Sequence, residues 1–142
     1  MRIEIKYHDP ELIKLEQKPG SDWIDLRAAE DVEMKAGEFR LISLGVSMKL
    51  PEGYEAHVIP RSSTFKNFGV LQTNSFGLID FEYNSNQDIW RFPALAVRDT
   101  VIHKNDRICQ FRIERHQPPI HFNEVDDLGE ESRGGFGSTG IQ

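Results

Sequence analysis

The chain has 142 residues, 17 basic and 23 acidic side chains, a formal charge of −6 and 38% hydrophobic residues. That length and mixture suit one domain with a buried core and exclude a disordered chain, a collagen or a coiled coil. No apolar run approaches the roughly 20 residues of a membrane helix, and the opening MRIEIKYHDP lacks a signal peptide's apolar stretch, so no membrane partner is expected. The lone cysteine, Cys109, cannot form an intrachain disulfide, which points to a reducing, cytoplasmic setting. Nucleic acid is not an expected partner, because an acidic chain has no basic face with which to release counterions. A polyanion is admitted only at a local site that supplies its own cations.

Strand signals dominate from the start. Met1 to Tyr7 alternates, with Ile3, Ile5 and Tyr7 on one side and Arg2, Glu4 and Lys6 on the other. Asp9-Pro10-Glu11 has the cap and the first-position proline of a short helix. Ile24, Leu26 and Ala28 alternate next, and then Val46, Met48 and Leu50 before the turn residues Pro51-Glu52-Gly53. Tyr54, Ala56 and Val58 continue the period of two. Ser62 to Phe68 is the better helix candidate, with Ser62 or Ser63 as cap and Gly69 as stop. Leu95 and Val97, then Cys109, Phe111 and Ile113, complete the alternating runs. Short strands broken by Gly, Pro and Asn predict an all-β sandwich or barrel with one short helix.

The last residues differ in character. Glu124 to Glu131 holds five acids and no base, and five of the 11 glycines lie between 129 and 140. The division expected is therefore a β-domain over 1–123 and a flexible C-terminal arm over 124–142. Composition alone reads as a solvated tail. Arg133 and Phe136, set among glycines, suit instead an arm that folds over an anion carrying a base.

Three segments have the residue types of a nucleotide site. Pro60-Arg61-Ser62-Ser63 sits between a strand and a helix, and reads either as a capped helix beside a surface arginine or as a phosphate cradle. Asn74 through Tyr83 looks like the tip and descending arm of a hairpin. Asp80 is then either a turn residue or a general base toward water, with Tyr83 beside it. Asn105-Asp106 reads as a turn leading into a strand where Gln110 is a polar group among hydrophobics, able to donate to a phosphate or a carbonyl. The five histidines form no i,i+4 pair, so a protein-built zinc site is not expected. Any metal should be a hard cation held mainly by phosphates and water, which points to Mg²⁺.

Taken in order, these segments resemble the trimeric dUTPases over essentially the whole chain. Trp23 to Ala29 is similar to the first of that family's five motifs, Pro60 to Ser63 to the second and Asn74 to Tyr83 to the third. Asn105 to Gln110, with Asn105 where the family commonly has glycine, is similar to the fourth, and Arg133 to Gly140 to the fifth. The resemblance implies a jelly-roll sandwich assembled as a homotrimer whose sites are shared between subunits, with the C-terminal arm closing another subunit's site. It implies hydrolysis of dUTP to dUMP and pyrophosphate with Mg²⁺, Asp80 deprotonating the attacking water and Arg133 reaching the terminal phosphate. Asn74, Gly77 and Ile79 would form the uracil slot, and Tyr83 would pack under the deoxyribose. Arg61, Ser62, Ser63 and Gln110 would hold phosphates, with Asp25 fixing water on the metal. Phe136, with Gly137 and Ser138 after it, would close over the substrate. Because this arm is compact between Arg133 and Phe136, Trp90 or Phe92 is an alternative cover for the base. The rival readings are a dCTP deaminase on the same sandwich and a dUTP-sensing regulatory protein.

Overall fold

The computed structural model describes residues 1–136. Eleven strands and one helix occur among them. They are β1 (Glu4–Tyr7), β2 (Ile24–Arg27), β3 (Val32–Met34), β4 (Phe39–Ser43), β5 (Val46–Lys49), β6 (Tyr54–Pro60), α1 (Thr64–Phe68), β7 (Val70–Gln72), β8 (Gly77–Ile79), β9 (Arg91–Ala96), β10 (Thr100–Ile102) and β11 (Arg107–Arg115). Every strand pairing is antiparallel. A four-stranded sheet ordered β2-β11-β6-β8 and a three-stranded sheet ordered β4-β9-β7 are accompanied by the pairs β1-β5 and β3-β10. This is the jelly-roll sandwich expected. Among the described residues no helix is long and apolar enough to cross a membrane.

Alternation explains which faces meet. On β6, Ala56 and Val58 are buried, while Glu55 and His57 turn away from the core. On β11, Cys109 and Phe111 point inward. Leu26, Ile42, Ile102 and Ile108 fill the space between the sheets, together with Trp90 and Phe92, both wholly buried. The Trp90 ring meets Phe111 edge-on at 5.3 Å between centroids. Base cover by Trp90 or Phe92 is therefore ruled out: neither ring has any exposed surface with which to stack on a ligand.

Two local expectations are corrected, and for a third, the alternation through Leu95, the structure supplies the inward face. Asp9-Pro10-Glu11 forms a turn rather than a helix. Asp9 Oδ1 accepts from the Glu11 N–H at 2.9 Å, and the Asp9 carbonyl accepts from Leu12, whose side chain is sunk in the core. On β9 the core face is Phe92, Ala94 and Ala96, and Leu95 and Val97 lie on the other side. The segment Asn74–Tyr83 is not a hairpin. β7 pairs with β9 and β8 with β6, so the chain crosses from one sheet to the other at Thr73–Phe76, with Ser75 left-handed at φ 59°. Gly77 opens β8 rather than forming a tip.

Helix α1 ends as expected, on Gly69 at φ 62°. Its start does not use a serine cap. Ser63 occupies the cap position without a side-chain bond, and the closing contact comes from buried Thr64. Thr64 Oγ1 accepts from the Arg61 N–H at 2.8 Å and donates to the Ile108 carbonyl at 2.8 Å.

Truncating the largest buried ring tests this packing. Trp90→Ala is expected to lower the unfolding free energy by about 3–5 kcal/mol, read from urea denaturation. A loss below about 1 kcal/mol would place the ring outside the core.

Candidate active site

The four-stranded sheet carries the first half of the site on its outward face. β11 pairs with β2 through Gln110 opposite Asp25, and with β6 through Gln110 opposite Ile59. Asp25, Gln110 and the end of β6 are thus neighbours by register alone. Arg61 follows directly after β6 and turns back over Asp25. Its Nε donates to Asp25 Oδ1 at 2.9 Å, and Arg107 Nη1 reaches Asp25 Oδ2 at 3.4 Å. Arg107 precedes an irregularity in the β11–β2 register at Arg107–Cys109, which separates its pairing from that of the rest of the strand.

The polar groups around this pair are positioned but not exhausted. Because Thr64 satisfies the turn, the Ser62 and Ser63 hydroxyls are spared for other partners. Ser63 Oγ accepts from Arg61 Nη1 at 3.3 Å, and Gln110 Nε2 donates to the Pro60 carbonyl at 3.1 Å. That leaves Gln110 its second N–H and its oxygen. Asp25, Arg61, Ser62 and Gln110 open on one cleft of about 450 Å³. Lys14, Lys18 and Arg27 add cations there and Glu16 a second carboxylate, so this corner is locally positive on an acidic chain.

Residue 105 helps to build the cleft wall. Asn105 stands at φ 76°, a left-handed conformation that asparagine tolerates. Its Oδ1 accepts from the Ile13 N–H at 2.8 Å and its Nδ2 donates to the Glu11 carbonyl at 3.1 Å, tying down the segment that carries Lys14.

The second group of candidates lies elsewhere. Ile79, Asp80 and Tyr83 line a separate concavity of about 260 Å³ beyond β8. Asp80 is exposed, and its carbonyl accepts from the Tyr83 N–H at 3.0 Å. The Tyr83 hydroxyl donates to the Ile89 carbonyl at 2.8 Å, which holds a partly exposed ring in place. Asn74 sits exposed before β8 and accepts at Oδ1 from Gln72 Nε2 at 2.9 Å. β6 and β8 are neighbours, but their antiparallel register sets Ile79 opposite Ala56, so Asp80 stands about six residues along β6 from Arg61, on the order of 20 Å. A single chain therefore does not bring Asp80 to the Arg61 corner.

The arm stays apart from both. No strand follows Arg115 among the described residues, and residues 116–136 are exposed throughout. Arg133 and Phe136 line neither concavity, and Gly137 and Ser138 lie outside the described residues. Arg107, Gln72 and the Lys14–Lys18 segment were not singled out in the sequence. The double use of Asp25 by two arginines is a tertiary fact with no local pattern.

For metal, no cluster of three or more His, Cys, Asp or Glu side chains capable of holding an ion occurs among the described residues. The donor set fits a hard cation only through water and a ligand's own oxygens, with Asp25 the carboxylate in the cleft between Arg61 and Gln110.

Comparison with known proteins identifies the family. The dUTPase family model matches residues 12–140. The SPbeta prophage-derived deoxyuridine 5'-triphosphate nucleotidohydrolase YosS of Bacillus subtilis is 60% identical over 142 residues, covering all of both chains. Among solved structures, a mutant of the Staphylococcus bacteriophage 80alpha dUTPase with dUpNHpp superposes at TM-score 0.76 and 18% identity, covering 99% of each chain. A mutant dUTPase of the S. aureus phage phi11, which coordinates a structural Mg(II) ion, superposes at 0.74 and 16% identity, covering 90% of this chain and 99% of that one. This chain belongs to the dUTPase family.

Proposed function

We propose that the protein hydrolyses dUTP to dUMP and pyrophosphate, in sites that two or more copies of the chain complete together. The reaction would keep uracil out of DNA and supply dUMP for thymidylate synthesis. The observation that carries this reading is the division of the candidate residues within one chain. A locally positive, hydroxyl-bearing cleft stands where β6 runs out into Arg61, and the carboxylate and aromatic ring stand beyond β8, level with the opposite end of β6. A homotrimer in which β8 of one copy faces the Arg61 corner of the next joins the two halves.

In that arrangement Arg61, Ser62, Ser63 and Gln110 bind the phosphate oxygens. The guanidinium is held by Asp25, so its remaining N–H donors are aimed before the ligand arrives. Asp80, exposed, with Oδ1 accepting from the Glu82 N–H at 3.4 Å and Oδ2 making no such bond among the described residues, takes the proton of a water that attacks the α-phosphorus in line as pyrophosphate leaves. Donors fixed in advance offset the charge that develops on the phosphoryl oxygens. Tyr83, pinned through its hydroxyl, offers its ring face to the deoxyribose and leaves little space for a 2′-hydroxyl. Asn74 and the backbone near Gly77 and Ile79 read the uracil edge. Arg133 and Phe136, with Gly137 and Ser138, fold over the ligand from a neighbouring copy and exclude water. Asp25 would hold Mg²⁺ through water beside the substrate's phosphates, where the ion would supply charge neutralisation for the leaving group. The setting we infer for this chemistry is the cytoplasm.

The deciding assay is pyrophosphate release with dUTP, dTTP, dCTP and UTP, in which dUTP alone should turn over efficiently. Comparable rates with UTP would contradict the Tyr83 role, and ammonia release from dCTP would favour deamination. Asp80→Asn should abolish hydrolysis while dUTP still binds, measured by calorimetry, and appreciable turnover would remove Asp80 as the base. Asp25→Asn takes away the charge between Arg61 and Arg107 while keeping the shape. It should cost about 1–3 kcal/mol in urea denaturation and raise KM for dUTP about tenfold, a factor equivalent to about 1.4 kcal/mol. An unchanged KM would show that Arg61 needs no partner to grip phosphate.

A further inference from the structure

Gln72, the last residue of β7, is a buried primary amide between the two sheets. Its Nε2 donates to the Val58 carbonyl on β6 at 3.0 Å and to Asn74 Oδ1 at 2.9 Å. A carbonyl only accepts, so Val58 requires the NH₂ end of the glutamine to face it. The second N–H of the same nitrogen then meets Asn74, which has to present its oxygen. A flipped Asn74 would set two NH₂ groups against each other. With Oδ1 committed, Asn74 keeps Nδ2, which makes no hydrogen bond among the described residues.

A further observation shows that this amide is kept at a cost. Gln72 Oε1 is buried with no partner among the described residues, an arrangement that destabilises rather than stabilises a fold. Gly77 sits close against β6 beside this amide: a Cβ there would lie 3.2 Å from Val58 Cβ, the tightest contact, and 3.4 Å from Gln72 Nε2.

We propose that Gln72 is a positioning residue for base selection, locking the Asn74 carboxamide so that its N–H donors, not its oxygen, face the base. The inference rests on the reading that Asn74 meets the base edge. Uracil carries a carbonyl at position 4 where cytosine carries an amino group, so a fixed donor pairs with the first and opposes the second. Without Gln72 the carboxamide turns freely, and the end that suits cytosine becomes available.

The test uses full-length protein and pyrophosphate release with dUTP and dCTP. Gln72→Met removes both donors at similar length. It should raise KM for dUTP about tenfold with kcat within about twofold, and lower the dUTP-to-dCTP ratio of kcat/KM about tenfold, the size expected for one hydrogen bond. A glutamine that serves packing alone would shift the unfolding midpoint and leave that ratio unchanged, a result that overturns the proposal. Asn74→Asp, at an exposed position, keeps an oxygen for Gln72 and puts an acceptor where Nδ2 stood. The ratio should fall at least about tenfold there as well, and an unchanged ratio overturns the assigned orientation even if Gln72→Met does not fold. Asn74→Ala separates the two levels. A wild-type KM in Asn74→Ala removes the base-reading role and this proposal with it. A raised KM there, with the Gln72→Met ratio intact, removes Gln72 alone.

Discussion

The pairing of β11 between β2 and β6 is the constraint on which the site depends. A nine-residue strand that is hydrogen-bonded on both sides has its register fixed twice over, and a slip of one residue would turn Cys109 and Phe111 out of the core. That penalty holds Gln110 opposite Asp25 on one side and opposite Ile59 on the other. The Asp25–Arg61 pair, the Gln110–Pro60 bond and the seat of Thr64 against the Ile108 carbonyl all follow from it. The half of the site that we propose faces phosphate is in this sense a by-product of core register. Its side chains are held by a scaffold that cannot shift without exposing apolar surface.

A second theme is that polar side chains take over work usually left to backbone or glycine, and so decide which neighbours remain available. Thr64 closes the turn after β6, and the serine hydroxyls are not consumed by capping. Asn105 adopts a left-handed conformation in which glycine is at ease, and adds two bonds from its side chain to the Glu11–Ile13 segment. Gln72 spans from β7 to β6 and to Asn74 in one group. Each is a single residue whose side-chain chemistry fixes a loop that lines, or in our reading faces, the ligand. Loops fixed in this way retain their shape without needing long regular elements.

Much of the fold was legible in the chain because half-buried strands write a period of two into it, as in Tyr54–Ala56–Val58 and Cys109–Phe111–Ile113. What failed did so where the deciding contact is distant in sequence. Asp9-Pro10-Glu11 has a helix's opening signal, but the anchoring of Leu12 in the core ends the segment after one turn. β9 alternates as expected, and only the structure shows that its inward face is Phe92, Ala94 and Ala96 rather than Leu95. The passage from β7 to β8 has the composition of a hairpin, and only the assignment of each arm to a different sheet excludes one. For the site, Asp25, Arg61 and Gln110 were identifiable by residue type and motif. Arg107 and Gln72 were not, since an arginine near a turn and a glutamine in a strand are common, and only their partners distinguish them.

The sheet order also bears on why such a site would be divided between chains. Within one sandwich the antiparallel register of β6 and β8 holds Arg61 and Asp80 toward opposite ends of that pair, on the order of 20 Å apart whatever the side chains. A triphosphate and a base could be spanned by one chain only if a long loop reached across the face, at a considerable entropic cost. Joining the edge of one copy to the Arg61 corner of another removes that need, because rigid strands then meet across a contact. In the proposed assembly the remaining gap would fall to residues 116–136, which are exposed and form no strand, and whose acids and glycines give them little reason to pack on their own chain. Selectivity, in this scheme, resides in the rigid parts, and closure in the part that orders only when three phosphates are there to be held.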